Sequence, residues 1–113
     1  MTGPGAADAA AVMTRLLELT RKFVTRTSDD VAQMRDRLAQ VEAGDPAALA
    51  QIQQLAHRAC GTGGTLGLCA LSDAAADLER LVEACPAAAL PDAAVRAEIA
   101  VRIEAMAAQL ALL

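Results

Sequence analysis

Apolar residues recur along this chain at helical intervals, and breaks with capping chemistry divide them into five stretches. Val12, Leu16, Leu19 and Phe23 step by four, three and four, the period of one helical face, which predicts a first helix from about Asp8 to Thr25. Ser28, followed by Asp29 and Asp30, has the chemistry of an N-cap with acids in the first turn, where the helix dipole favours negative charge. A second helix is expected there, with Val31, Met34, Leu38 and Val41 on one face and Gly44 at its end. Asp45-Pro46 repeats the start signal, Asp as cap and Pro at the first helical position. The third helix should run through Gln51, His57 and Cys60 toward Leu66. Leu68, Leu71, Ala75, Leu78, Leu81 and Val82 mark a fourth helix that ends near Ala84, and Pro86 to Pro91 reads as a loop. Asp92 caps a last helix with the stripe Val95, Ile99, Ile103, Met106 and Leu110.

Short connections imply antiparallel neighbours. The expected fold is all-α, an up-and-down antiparallel four-helix bundle with an additional N-terminal helix packed across one end. Residues 1–8 read as a flexible lead-in, and residues 9–113 as a single helical domain, the default for 113 residues. Met1 and a last helix that runs almost to the terminus read as a free-standing chain.

Composition sharpens this picture. The chain is 55% hydrophobic, much of it alanine, and its only aromatic residue is Phe23, so strand formers are scarce and helix formers abundant. A net charge of −4 and the lack of stacking aromatics argue against nucleic acid as a partner. No basic-then-apolar leader opens the sequence, and no apolar run approaches the roughly 18 residues of a membrane span. A cytoplasmic monomer is expected. Cys60, Cys69 and Cys85 are odd in number and lack CxxC spacing, which fits reduced thiols.

His57 is the only histidine. A lone helical histidine is by default a core or incidental surface residue. At about 100° per residue, however, Ile52, Leu55 and Ala59 gather on the side opposite His57, so the core stripe faces away from it. On its own face Gly64 lies about 20° away and Gly61 about 40° away. Glycine weakens a helix by up to about 1 kcal/mol relative to alanine, and clearance for a docking partner over the imidazole explains why two glycines stand there.

The segment Ala56-His57-Arg58-Ala59-Cys60-Gly61-Thr62-Gly63-Gly64-Thr65-Leu66-Gly67, continued by Leu71, Ala75, Leu78 and Glu79, resembles the signature of the histidine-containing phosphotransfer (HPt) domain. In that family the phosphoacceptor histidine is followed by lysine, glycine and a small hydroxyl residue at the third, fourth and fifth places, and later by Leu-Gly. His57, Gly61, Thr62, Leu66 and Gly67 match. Leu16, Phe23, Leu38 and Gly44-Asp45 extend the likeness over residues 12 to 84. The resemblance implies a phosphorelay carrier, with His57 as phosphoacceptor and no kinase machinery of its own. Its partners would be receiver domains of response regulators and hybrid histidine kinases. Mg2+ would come from the receiver. Cys60 departs from the pattern: the family's lysine there is credited with holding phosphoryl oxygens. Arg58, about 100° around the helix, is placed to replace it in part. Gln53, Gln54 and Thr62 are candidate donors to the phosphate or imidazole.

Other readings have less behind them. His57 and Cys60 form at most half of a zinc site, because Cys69 and Cys85 sit at irregular spacings. A Cys–His nucleophilic pair lacks an orienting acid and an oxyanion-hole motif. The rival from a different class is a helical adaptor, or a degenerate HPt domain, that binds receivers without carrying phosphate.

Overall fold

The computed structural model describes residues 4–113. Among these residues four helices form, α1 (Pro4–Glu42), α2 (Ala48–Thr65), α3 (Cys69–Glu83) and α4 (Ala93–Ala111), and no strand. Each helix packs on the next, and α4 closes on α1. Cross-helix pairs fix the directions. Gly63 meets Phe23 while Arg58 meets Asp30, so α1 and α2 run antiparallel. Gln53 meets Glu83 and Cys60 meets Ser72, so α2 and α3 do the same. Arg35 binds Glu104 across α1 and α4 through Nε–Oε2 (2.9 Å) and Nη2–Oε1 (2.6 Å).

The core follows the sequence stripes in four of the five stretches. Val31, Met34, Leu38 and Val41 of α1 are buried with Ile52 and Ala59 of α2, Leu71, Ala75, Leu78 and Val82 of α3, and Ile99, Ile103, Met106 and Leu110 of α4. Leu55, Leu66, Leu68, Leu81 and Val95 pack on its edge. Two turns have the glycine chemistry expected of helix ends. Gly44 (φ 108°) and Gly67 (φ 77°) adopt left-handed conformations that cost a residue with a Cβ about 1–2 kcal/mol. Each is followed by a residue whose N–H bonds five back, Asp45 to Gln40 and Leu68 to Gly63, the hydrogen bond of a Schellman close. Asp92 caps α4 by accepting from the Val95 N–H at 2.9 Å. Asp45 accepts from the Ala47 N–H at 3.1 Å, so it caps the short turn that leads into α2 at Ala48.

The first stretch departs from expectation. The two helices predicted from about Asp8 to Gly44 are one helix of 39 residues. Ser28 is not an N-cap: its hydroxyl donates back to the Val24 carbonyl at 2.9 Å, as a serine does inside a helix. No Gly or Pro lies between Gly5 and Gly44 to break the helix, and Phe23, Thr27, Val31 and Met34 stay in phase on one face. Consequently no separate N-terminal helix crosses the end of the bundle. At 1.5 Å per residue α1 is about 58 Å long against about 27 Å for α2, and the molecule measures 65 × 20 × 20 Å. The N-terminal half of α1 therefore projects beyond the bundle. Val12 is 60% and Leu16 44% exposed, where a buried stripe was expected. Of the predicted lead-in, residues 1–3 lie outside the described residues, and Pro4 to Asp8 begin α1.

Ile52 is fully buried, so Ile52→Ala should destabilise the chain by about 2–5 kcal/mol in urea titrations. Val101→Ala, at an exposed site on α4, should change stability by less than about 0.5 kcal/mol. The α1–α4 ion pair gives a pH signature. The Glu104 carboxyl is held below its ordinary value of 4.5, first by the hydrogen bonds from Arg35 and then by its charge. This contribution is present above that ordinary value and disappears as pH falls through the lowered one. The pair is exposed, so it is worth about 0.2–1 kcal/mol. The stability difference between the native chain and Glu104→Gln should be measurable at neutral pH and vanish in acid.

Candidate functional site

The histidine stands midway along α2, on the face turned from the core. Its side chain is 75% exposed, while that of Glu79 on α3, which reaches it from below, is 15% exposed. The distance from His57 Nδ1 to Glu79 Oε2 is 2.5 Å. A carboxylate only accepts, so Nδ1 carries the hydrogen and donates it. In the neutral ring this leaves the lone pair on Nε2, as carboxylate–histidine pairs elsewhere fix the tautomer and turn the other nitrogen outward.

Small residues allow this approach. Ala56, Ala59 and Gly63 of α2 and Ala75 of α3 are buried, Gly63 and Gly64 lie against Ser72 of α3, and helices with short side chains at the contact pack closely. A Cβ on Gly63 would lie 3.6 Å from both Phe23 Cζ and Ser72 Cβ, so a methyl fits and a longer side chain does not. Ser72 ties the seam by donating to the Cys60 carbonyl at 2.8 Å, with the Cys60 sulfur at 3.6 Å.

The predicted site residues divide between the two flanks of His57. Gly61 has open space where its Cβ would be, and His57, Arg58, Gly61, Thr62 and Thr65 line one shallow surface. Gly64 is exposed but borders α3: its Cβ would meet Ser72 Oγ at 3.3 Å, a tight approach. Gln54 is exposed. Gln53 Nε2 is already engaged, donating to Glu79 at 3.3 Å and Glu83 at 3.2 Å. Cys60 lies half-buried in the α2–α3 seam beside Ser72 rather than out beside the imidazole.

Arg58 turns toward α1. Its Nη2 donates to both oxygens of Asp30 at 2.7 and 2.8 Å, and Asp30 is 3% exposed. A buried carboxylate without a partner is costly, so the first demand on this guanidinium is structural. Its charge is largely answered by Asp30, which weakens the expectation that it replaces the missing lysine. Sequence reasoning did not include Asp30, Ser72 or Glu79 among the candidate site residues. Asp30 looked like dipole chemistry in a first turn that does not exist, and Glu79 entered only through the motif likeness. Its separation from His57, 22 positions, becomes proximity only once α2 and α3 are known to be antiparallel.

Residues 18–112 match the family model of the Hpt domain. The chain belongs to the Hpt domain family. Hpt domains are histidine phosphotransfer modules of two-component phosphorelays; they interact with receiver domains and are phosphocarriers rather than kinases. No curated protein and no solved structure matched the chain. The match begins at residue 18, so most of the projecting part of α1 precedes this Hpt domain. No helix among the described residues is long and apolar enough to cross a membrane.

Arg58→Ala should lower stability by about 1–3 kcal/mol, because it strands the buried Asp30 carboxylate. In a double-mutant cycle Asp30→Ala and Arg58→Ala should be strongly non-additive. Additive losses would mean that the two groups stabilise the chain independently.

Proposed function

We propose that His57 is the phosphoacceptor and that this chain relays phosphoryl groups between receiver domains of response regulators and hybrid histidine kinases. One observation carries the reading: the chain's only histidine is exposed on α2, with Nδ1 held by Glu79 and Nε2 free. In the forward step the Nε2 lone pair attacks the phosphorus of a receiver's aspartyl phosphate. The bond from phosphorus to the aspartyl oxygen breaks, and the receiver's carboxylate leaves with the electron pair. The Nδ1 proton stays in place, where Glu79 stabilises the positive charge that develops on the ring as Nε2–P forms. The reverse step returns the group to an aspartate. Mg2+ and most of the compensation for phosphoryl charge come from the receiver.

Gly61 keeps the approach clear, since any side chain there would stand in the path of the incoming aspartyl phosphate. Thr62 and the exposed Gln54 border that path and are the side chains we assign to phosphate or receiver contact. Gln53 acts through Glu79, which it holds by a hydrogen bond. The domain that carries this activity is a single unit built on the four helices.

Incubated with a phosphorylated receiver, the native chain should acquire acid-labile, base-stable label, and His57→Gln should fold normally and acquire none. Label on His57→Gln would sink the assignment; no label on the native chain would favour the adaptor that binds receivers without carrying phosphate. Glu79→Ala should still accept phosphate but more slowly, roughly 10–100-fold if the loss matches that seen when the carboxylate behind a metal-ligating histidine is removed. Gly61→Gln should be as stable as the native chain or up to about 1 kcal/mol more stable, yet fail in transfer.

A further inference from the structure

The projecting half of α1 is a helix with an uncovered apolar face. Val12, Met13, Leu16, Leu17 and Leu19 are all exposed. At about 100° per residue the stripe through Val12, Leu16, Leu19 and Phe23 is the same face that, from Val31 to Val41, forms the core. The helix therefore continues a core-forming surface past the end of the bundle. Two more exposed apolar residues, Leu112 and Leu113, follow α4. Because Glu104 lies against Arg35 and Leu110 near Ser28, the end of α4 points toward the projection. Apolar surface thus gathers at one end of the molecule, as interaction sites do.

We infer that this surface pairs two copies of the chain, with the projecting halves of α1 antiparallel about a twofold axis near Leu16. Three observations favour a second copy as the occupant. First, residues 4–20 carry only Asp8, Arg15 and Glu18 as charges, so self-pairing meets little repulsion. The basic polar face that an anionic membrane would attract is missing there. Second, an apolar groove lined by Leu19, Lys22, Phe23, Arg26, Thr62, Thr65 and Leu66 continues the stripe onto the bundle, and through Thr62 and Thr65 it borders the surface proposed for the receiver. The tip of the projection, with Ala6, Ala7, Ala9 and Ala10, has the small side chains that a shallow groove admits.

Third, the charges match in that register. When Leu16 faces Leu16 of the second copy, Asp8 falls opposite position 24, between Lys22 and Arg26. These three residues lie on one flank of the stripe, and in a twofold antiparallel pair like flanks face each other. The sequence reading expected a monomer, and separately expected the stripe from Val12 to Leu19 to be covered by packing across one end of the bundle. In the structure that cover is absent, and a second chain supplies it.

The test is the solution mass of the full chain by sedimentation equilibrium from about 1 to 200 μM. The expected mass is twice the 11.6 kDa of the chain, and Leu16→Glu should return it to one chain at every concentration with unchanged helical circular dichroism. Asp8→Lys should weaken association at least tenfold, and adding Lys22→Glu and Arg26→Glu should restore it. A native chain that stays at 11.6 kDa would overturn the inference. So would a dimer that survives Leu16→Glu, because pairing would then use another face. A reverse charge swap that fails to restore association would overturn the antiparallel register.

Discussion

The close antiparallel packing of α2 on α3 is the constraint on which the rest of the site depends. It brings the Glu79 carboxylate to 2.5 Å from His57 Nδ1, and it is close where Gly63 and Gly64 of α2 meet Ser72 of α3. A side chain longer than a methyl at Gly63 would press on Phe23 of α1 and Ser72 of α3 and disturb this packing. The glycines of α2 thus have distinct tasks. Gly63 lets the helices approach and Gly61 leaves the solvent side open, while Gly64 stands at the border between the two. The helix-propensity cost of all three, up to about 1 kcal/mol each, is spread over packing and access.

Much of this was legible in the sequence because it follows from local periodicity. The stripes of α2, α3 and α4 place the core, and the opposite face of α2 presents His57 and Gly61 to solvent. Asp92, Gly44 and Gly67 act at helix ends through backbone chemistry that needs no tertiary information. What sequence reading missed involves either phase or distance. Ser28-Asp29-Asp30 has cap chemistry, but Phe23, Thr27, Val31 and Met34 hold one face through it, and that continuity decides for a single α1. Arg58 and Asp30 are 28 positions apart, so their ion pair could not be read from spacing, and a cation beside the histidine was naturally assigned to phosphate instead.

The missing lysine acquires a structural context from the same geometry. Cys60 packs half-buried against Ser72, at the point where α2 and α3 are tied through the Cys60 carbonyl. Arg58 is held by Asp30, and the group nearest the imidazole is an acid. Immediately beside His57, then, the cation Arg58 is already engaged; further positive groups, Lys22 and Arg26 of α1, border Thr62 and Thr65, which share a surface with the histidine.

The central claim is that phosphate resides on Nε2 of His57 while Glu79 holds Nδ1. NMR of the phosphorylated chain, with nitrogen-15 in the histidine ring and phosphorus-31 coupling as the readout, tests it most directly. The account predicts coupling to Nε2 alone, with Nδ1 protonated and its hydrogen-bonded proton shifted when Glu79 is replaced by alanine. Coupling to Nδ1, or a phosphorylated chain whose histidine nitrogens show no coupling, would contradict it.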